Sequence, residues 1–159
     1  MTTLTYRAPE KLKPFADKAA AAWNDVLSGL VKLRPWTPPH PMFTTTELNA
    51  LNIFIDFGKI DRVKHPTRIG ECRHLGPDLW NIVLADDIKW AFSWWSRLIG
   101  NGENVLACLL HEFGHVFDLP HASNPNYVMH PNMTGSVKMS SDEKALYRAF
   151  FLLNLESEE

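Results

Sequence analysis

Three histidines and a glutamate lie within one eleven-residue segment, HEFGHVFDLPH, at residues 111–121. His111 and His115 are four residues apart, so on a helix their side chains project from the same face. The sequence predicts such a helix over about 103–117, with an apolar stripe at Leu106, Leu109, Leu110, Phe113 and Phe117. Any fold that this chain adopts must therefore accommodate one long helix that carries a cluster of imidazoles.

Two imidazoles one helical turn apart suit a single Zn²⁺, which binds histidine nitrogen at about 2.0–2.1 Å. His121 can supply a third nitrogen only if the chain leaves the helix after His115 and turns back. Asp118, followed by Leu119 and Pro120, is a suitable exit, because aspartate tolerates a left-handed backbone and proline cannot continue a helix. Three histidines leave the fourth position of a tetrahedral zinc open for water, which is typical of a catalytic site.

Glu112 directly follows the first histidine. From there its carboxylate can reach a water on the metal without being a ligand, as a general base requires. The plainer alternative is three surface or capping histidines on an ordinary helix. The apolar helical pattern around the motif favours the metal site.

The composition is that of a globular protein of 159 residues, with 45% apolar and 21% charged residues. The formal net charge is −2, so the chain lacks the excess of basic residues that would indicate nucleic acid as a partner. No apolar run approaches the roughly 18 residues of a membrane span, and we expect no membrane insertion. The oligomeric state is left open.

Cysteine usage and the N-terminus bear on the compartment. Cys72 and Cys108 do not form a disulfide framework, and the simpler expectation is two free thiols in a reducing compartment. The first thirteen residues, MTTLTYRAPEKLK, lack the apolar run of a secretory signal. The default expectation is cytoplasmic, with delivery by another route as the alternative.

Strand and helix patterns alternate along the rest of the chain. A helix opens at Pro9 or Pro14 and ends near Gly29, and a last helix is capped by Ser140 or Ser141. The prolines of 34–41 predict a segment without regular structure. Strands are expected at 3–7, 42–46, 52–57 and 80–85, with 68–75 as an edge strand. This order favours an α+β or mixed α/β domain.

The segment 111–131 resembles the zinc site of the metzincin metallopeptidases, and within them the matrixins. The family pattern is HExxHxxGxxH followed by a methionine turn, and NYVMHP at 126–131 resembles that turn, with Met129 as its methionine. Weaker similarity extends over most of the chain, at LTYR (4–7), AAAAWNDV (19–26), LNIFIDF (51–57) and SSDEKALY (140–147).

The resemblance implies a zincin fold with a twisted, mostly parallel sheet, an antiparallel edge strand, an active-site helix and a C-terminal helix. It implies one catalytic domain over 1–159, with an upper part at about 1–118 and a lower part at about 119–159. A protein or peptide substrate would pair with the edge strand at 68–75, as in β-augmentation. Met129 would pack beneath the zinc ligands His111, His115 and His121.

The resemblance also implies a pocket for the substrate side chain that follows the cleaved bond. Its walls and floor would come from Ala107, Val128, Pro131 and Met133. Alanine at 107 leaves room, so we expect an apolar side chain such as leucine or methionine in this pocket.

Two departures from the family pattern affect the metals. Asp118 stands at the glycine position of the motif. The residues near Val83 and Ile88 lack the histidine and the acid that a second, structural zinc would require. We therefore expect one zinc, while the sequence leaves calcium open.

The sequence thus predicts a zinc-dependent endopeptidase with Glu112 as its general base. One alternative is a recognition module that holds zinc in the same fold but has lost turnover. Another is a zinc hydrolase that acts on something other than protein.

Overall fold

The computed structural model describes residues 1–37, 51–63, 66–92, 102–132 and 136–157. Within these ranges the fold is mixed α/β, and its elements follow one another in the order β1 (Thr2–Arg7), α1 (Lys13–Val26), β2 (Val31–Pro35), β3 (Ile53–Gly58), β4 (Gly70–Gly76), β5 (Leu79–Ala85), β6 (Trp90–Ala91), β7 (Glu103–Asn104), α2 (Val105–Val116) and α3 (Ser141–Ser157). The strand predicted at 42–46 lies outside the described residues.

Five strands form one sheet in the order β2-β1-β3-β5-β4. All neighbouring pairs are parallel except β4 and β5, which pair as an antiparallel hairpin with His74 opposite Trp80. The hairpin turns at Asp78, whose φ of +54° is in the left-handed region. The predicted antiparallel edge strand is thereby confirmed.

Strand β2 corrects the expectation that the prolines of 34–41 exclude regular structure. The strand continues through Arg34 to Pro35 and pairs with β1 in parallel. Because β2 is at the edge of the sheet, Pro35 costs no ladder hydrogen bond on the open side. Pro35 is therefore compatible with this edge strand and is its last residue.

Helix α1 packs its small and aromatic face against α2. Pro14 lies in its first turn, as predicted, where a missing N–H costs nothing. Trp23 is fully buried, and its indole N–H donates to the carbonyl of Leu110 at 2.9 Å. The Trp23 ring also contacts Phe117 of the α2 terminus and Tyr147 of α3, with centroids 5.6 Å apart in each case. One tryptophan thus joins all three described helices.

Helix α2 begins at Val105, two residues later than predicted. Glu103 and Asn104 pair with Trp90 and Ala91 as short parallel strands, so their backbone is extended. The Asn104 side chain then accepts the N–H of Ala107 at 3.1 Å and caps the helix. Most side chains of α2 are buried, as expected for a helix covered on several sides.

Helix α3 begins with a capping box. The Ser140 hydroxyl accepts the backbone N–H of Glu143 at 3.2 Å, and the Glu143 carboxylate accepts the N–H of Ser140 at 3.3 Å. Lys144 pairs with Asp25 at 2.6 Å, which ties α3 to α1. Among the described helices, none combines the length and the apolar character needed to cross a bilayer.

Candidate metal centre

Three imidazoles converge at one point beside α2. The Nε2 atom of His111 is 3.2 Å from Nε2 of His115 and 3.3 Å from Nε2 of His121. Ligand nitrogens about 2.0–2.1 Å from a tetrahedral zinc lie about 3.3 Å from one another. The spacing of the three histidines therefore fits one zinc ion, and the side chains together form a group that can hold a metal.

Backbone carbonyls set the tautomers of two of these rings. His111 Nδ1 is 2.8 Å from the carbonyl oxygen of Val128, and His115 Nδ1 is 3.0 Å from that of Leu119. Because a carbonyl only accepts, each Nδ1 carries the proton and donates it. Each Nε2 then directs a lone pair at the common point. Lone pairs that face one another repel, and a cation between them removes the repulsion.

Loss of hydration favours the neutral form of the histidines, as metal binding requires, although His121 is the exposed member of the cluster. Burial lowers the pKa of His111 from 6.5 to about 4, although the hydrogen bond to Val128 acts in the opposite direction. Burial also lowers the pKa of His115 and of His121. All three rings are therefore available as ligands near neutral pH.

A Schellman motif brings the third histidine back to the first two. Asp118 has a φ of +55°, which confirms the left-handed turn predicted there. Its N–H donates to the carbonyl of His115 at 3.1 Å, and the N–H of Leu119 donates to that of Gly114 at 3.2 Å. Aspartate thus fills the conformational role of the glycine in the family pattern.

Met129 packs against the turn of α2 that carries the two helical histidines. The methionine is fully buried, and a Cβ added at Gly114 would collide with its sulfur. The backbone turn around it is closed by hydrogen bonds from His130 N–H to the Tyr127 carbonyl and from Ala122 N–H to the Met129 carbonyl. The sequence analysis did not identify the packing role of Gly114. An isolated glycine inside an apolar helix usually indicates a close contact of this kind.

Glu112 is on the same helix turn and is 4% exposed. Burial raises the pKa of its carboxyl to about 8, while the positive charge of Arg68 and a hydrogen bond from the Cys72 backbone act in the opposite direction. A Cβ added at Gly70 would lie 2.6 Å from Glu112 Oε1. Glycine at the start of β4 therefore allows the edge strand to approach the carboxylate closely.

The histidines and Glu112 line a cleft of about 760 Å³ between β4 and the loop after Met129. Its lining residues are Pro66, Thr67, Arg68, Ile69, Gly70, Glu71, Cys72, Glu103, His111, Glu112, His115, His121, Pro131 and Asn132. The cleft thus runs along the edge strand that sequence analysis expected to meet a substrate.

A hydrogen-bond chain connects α3 to the metal centre. Glu143 is 1% exposed, and its Oε1 accepts the N–H of Val128 at 2.6 Å. The Tyr147 hydroxyl donates to the same oxygen at 2.8 Å and accepts the N–H of Met129 at 3.2 Å. Since the carbonyl of Val128 accepts from His111, the chain ends at a histidine of the cluster. The sequence analysis did not identify this role of Glu143, although the pattern Ser-x-x-Glu at residues 140–143 indicated a capping box.

The residues proposed for the substrate pocket differ in their placement. Pro131 is exposed and lines the cleft, whereas Ala107 and Val128 are each 4% exposed. Met133 lies outside the described residues. The pocket roles of all four residues remain predictions.

The two cysteines of the chain are free. Cys72 is half-buried on β4, and Cys108 is fully buried on α2. The expectation of two unpaired thiols is confirmed.

A comparison with protein-family models matches the peptidase family M10, matrixin, over residues 8–150. A comparison with curated proteins finds no match. The family match covers most of the chain, and the histidine cluster fits the zinc site of the HExxHxxGxxH pattern. The mostly parallel sheet with an antiparallel edge strand is consistent with the matrixin fold. The chain therefore belongs to the matrixin family of zinc metallopeptidases.

Proposed function

We propose that this matrixin is a zinc-dependent endopeptidase in which His111, His115 and His121 hold the metal and Glu112 is the general base. The observation that carries the proposal is the convergence of three Nε2 atoms next to a buried carboxylate in one open cleft. A structural zinc site would be closed by a fourth protein ligand, whereas the donor set found among the described residues leaves a position free.

Zinc held by these histidines would polarise a carbonyl group as a Lewis acid and would lower the pKa of a bound water. Glu112 takes the proton of the attacking water and passes it to the leaving amine. Burial favours the protonated carboxyl in the metal-free chain. The charge of a divalent cation acts together with that of Arg68 and favours the carboxylate that a base requires.

The position of β4 supports a peptide as substrate. This strand is at the edge of the sheet, so one row of its backbone N–H and C=O groups faces away from β5. An extended peptide can pair with that row, and the scissile bond would then lie over the metal. An edge strand that can pair with a peptide backbone favours a peptide substrate over a non-peptide substrate.

The pocket hypothesis adds a preference at the position after the cut. Pro131 lies at the cleft, and Ala107 and Val128 are apolar residues on the two segments that flank the first histidine. With Met133 they are proposed to receive a leucine or a methionine side chain.

The test is a digest of a peptide library by zinc-loaded protein, with cleavage sites identified by mass spectrometry. Glu112→Gln should retain zinc and the fold but lose turnover by about 10²–10⁴-fold, the usual contribution of a general base. The matched control is Glu10→Gln, which makes the same chemical change at an exposed residue.

Unchanged cleavage by Glu112→Gln would contradict the proposed role of this residue. No cleavage by the zinc-loaded wild type would favour the alternative of a zinc-binding recognition module.

A further inference from the structure

Arg68 is the cationic side chain among the described residues that line the cleft. It precedes β4 by two residues and shares the cleft with the histidine cluster and Glu112. Its positive charge acts on Glu112, His115 and His121, which line the same cleft. The roles proposed for Glu112 and for the three histidines do not require an arginine in this cleft.

The neighbouring charges leave Arg68 available. Arg73 donates to Glu71 Oε2 at 3.0 Å and to the Lys59 carbonyl at 3.1 Å, so its guanidinium is committed within the fold. Arg68 approaches the other oxygen of Glu71 only at 3.5 Å, which is longer than a good hydrogen bond. Its side chain is 36% exposed. Among the described residues, Glu71 therefore interacts with two arginines. It accepts a hydrogen bond from Arg73, which does not line the cleft, and forms only the longer contact with Arg68.

Among the described residues, the one acidic group paired with the Arg68 guanidinium is Glu71, at 3.5 Å. A guanidinium held this loosely at the edge of a cleft is suited to a carboxylate, which it binds through two parallel hydrogen bonds. The adjacent divalent cation would add to the attraction for an anionic group. Glu71 and Glu103 also line the cleft and carry negative charge. An acidic preference should therefore be confined to the substrate position that reaches Arg68 and should not extend along the whole peptide.

We propose that Arg68 binds a carboxylate of the peptide substrate and so selects substrates with an acidic group near the scissile bond. This proposal rests on the proposed peptidase function and deepens it. The carboxylate comes either from an aspartate or glutamate side chain or from the C-terminus of a short substrate. Both sources present the same chemistry to the guanidinium.

The experiment uses pairs of peptides that the zinc-loaded enzyme cleaves and that differ only by glutamate or glutamine at one position. The position is scanned on both sides of the cut. A second set compares free and amidated C-termini, which separates the two sources of the carboxylate. kcat and KM are measured for wild type, Arg68→Gln and Arg68→Glu. Arg34→Gln on the opposite edge of the sheet is the control, and zinc content and thermal midpoint verify that each variant is folded.

We expect wild type to favour the acidic member of one pair by about 10–100-fold, mainly through KM, as for a hydrogen bond between charged groups. Arg68→Gln should remove this preference, Arg68→Glu should reverse it, and Arg34→Gln should keep it.

Three results would overturn the proposal. Equal cleavage by wild type of both members of every Glu/Gln pair, together with equal cleavage of the free and amidated peptides, would remove this proposal alone. An equal loss of kcat for both members in Arg68→Gln would show that Arg68 acts on the reaction and not on selection. Cleavage of no peptide by wild type would remove the proposed function, and this proposal with it.

Discussion

The buried carboxylate of Glu143 accepts a hydrogen bond from the backbone N–H of Val128 at 2.6 Å. The carbonyl oxygen of the same Val128 accepts a hydrogen bond from Nδ1 of His111 at 2.8 Å. The first turn of α3 is therefore connected to the metal centre through one residue of the methionine turn. Partners of this kind orient a metal ligand and fix its tautomer. Helix α3 thus contributes to the metal centre, although it contributes no ligand of the histidine cluster.

Glu143→Ala should weaken zinc binding by about 10–100-fold, the usual effect of removing a group that orients a ligand. It should also lower the free energy of unfolding by about 2–3 kcal/mol, because Val128 N–H and the Tyr147 hydroxyl lose a charged acceptor. Competition with a fluorescent chelator and urea denaturation measure the two effects. The adjacent, exposed Asp142→Ala is the control. Equal zinc affinity of the two variants would show that α3 does not position His111.

The turn at Asp118 can be tested with a pair of substitutions. Asp118→Gly should keep zinc and stability, because glycine adopts a φ of +55° freely. Asp118→Val should lose about 1–2 kcal/mol or more, because a β-branched residue resists the left-handed conformation. Zinc content and thermal midpoints of both variants provide the comparison. Equal midpoints would contradict a left-handed turn at this residue.

Gly114→Ala should destabilise the protein, although the same change inside an exposed helix stabilises it by about 0.5–1 kcal/mol. The reason is the buried Met129 side chain, which occupies the space of the new Cβ. A loss of about 1–3 kcal/mol is expected from such overpacking. Gly76→Ala is the control, since no atom lies within 4 Å of its added Cβ. A stabilised Gly114→Ala would mean that Met129 packs elsewhere.

The histidine cluster was predictable from the sequence because the helical period alone places His111 and His115 together. The turn at Asp118 was also predictable, because few residues besides glycine tolerate that backbone and Pro120 excludes a longer helix. The edge strand followed from the family resemblance, and its hairpin partner from the apolar run of β5.

What the sequence did not predict depends on contacts between distant residues. The role of Glu143 requires that α3 meet the methionine turn, fifteen residues away in the chain. The loose pairing of Arg68 with Glu71 depends on a hydrogen bond from Arg73 to the same carboxylate. The periodicity of the sequence does not predict such a contact. The strand at 31–35 was missed because proline disfavours sheet interiors, whereas β2 is at an edge.

The raised pKa of Glu112 predicts a pH dependence in metal-free protein. Its carboxyl titrates at 4.5 when exposed and at about 8 in the fold. Between these values the folded chain binds more protons than the unfolded chain, so rising pH favours unfolding. Glu112→Gln lacks this effect. The free energy of unfolding of the variant relative to wild type should therefore rise from about pH 4.5 to about pH 8, by on the order of 1 kcal/mol per pH unit.

Urea denaturation in the presence of a chelator measures this difference, and excess zinc should abolish its rise because the cation favours the carboxylate. A difference that is independent of pH in the metal-free protein would show that Glu112 is solvated and not buried against β4.

The most direct test of the metal centre is the zinc content of protein purified without added metal, determined by elemental analysis. We expect one zinc per chain in the wild type, and a strongly reduced content in His111→Ala, His115→Ala and His121→Ala. His74→Ala, which changes an exposed histidine of β4, should keep the metal. A wild-type content near zero that added zinc does not restore would contradict the metal centre and the peptidase function proposed from it.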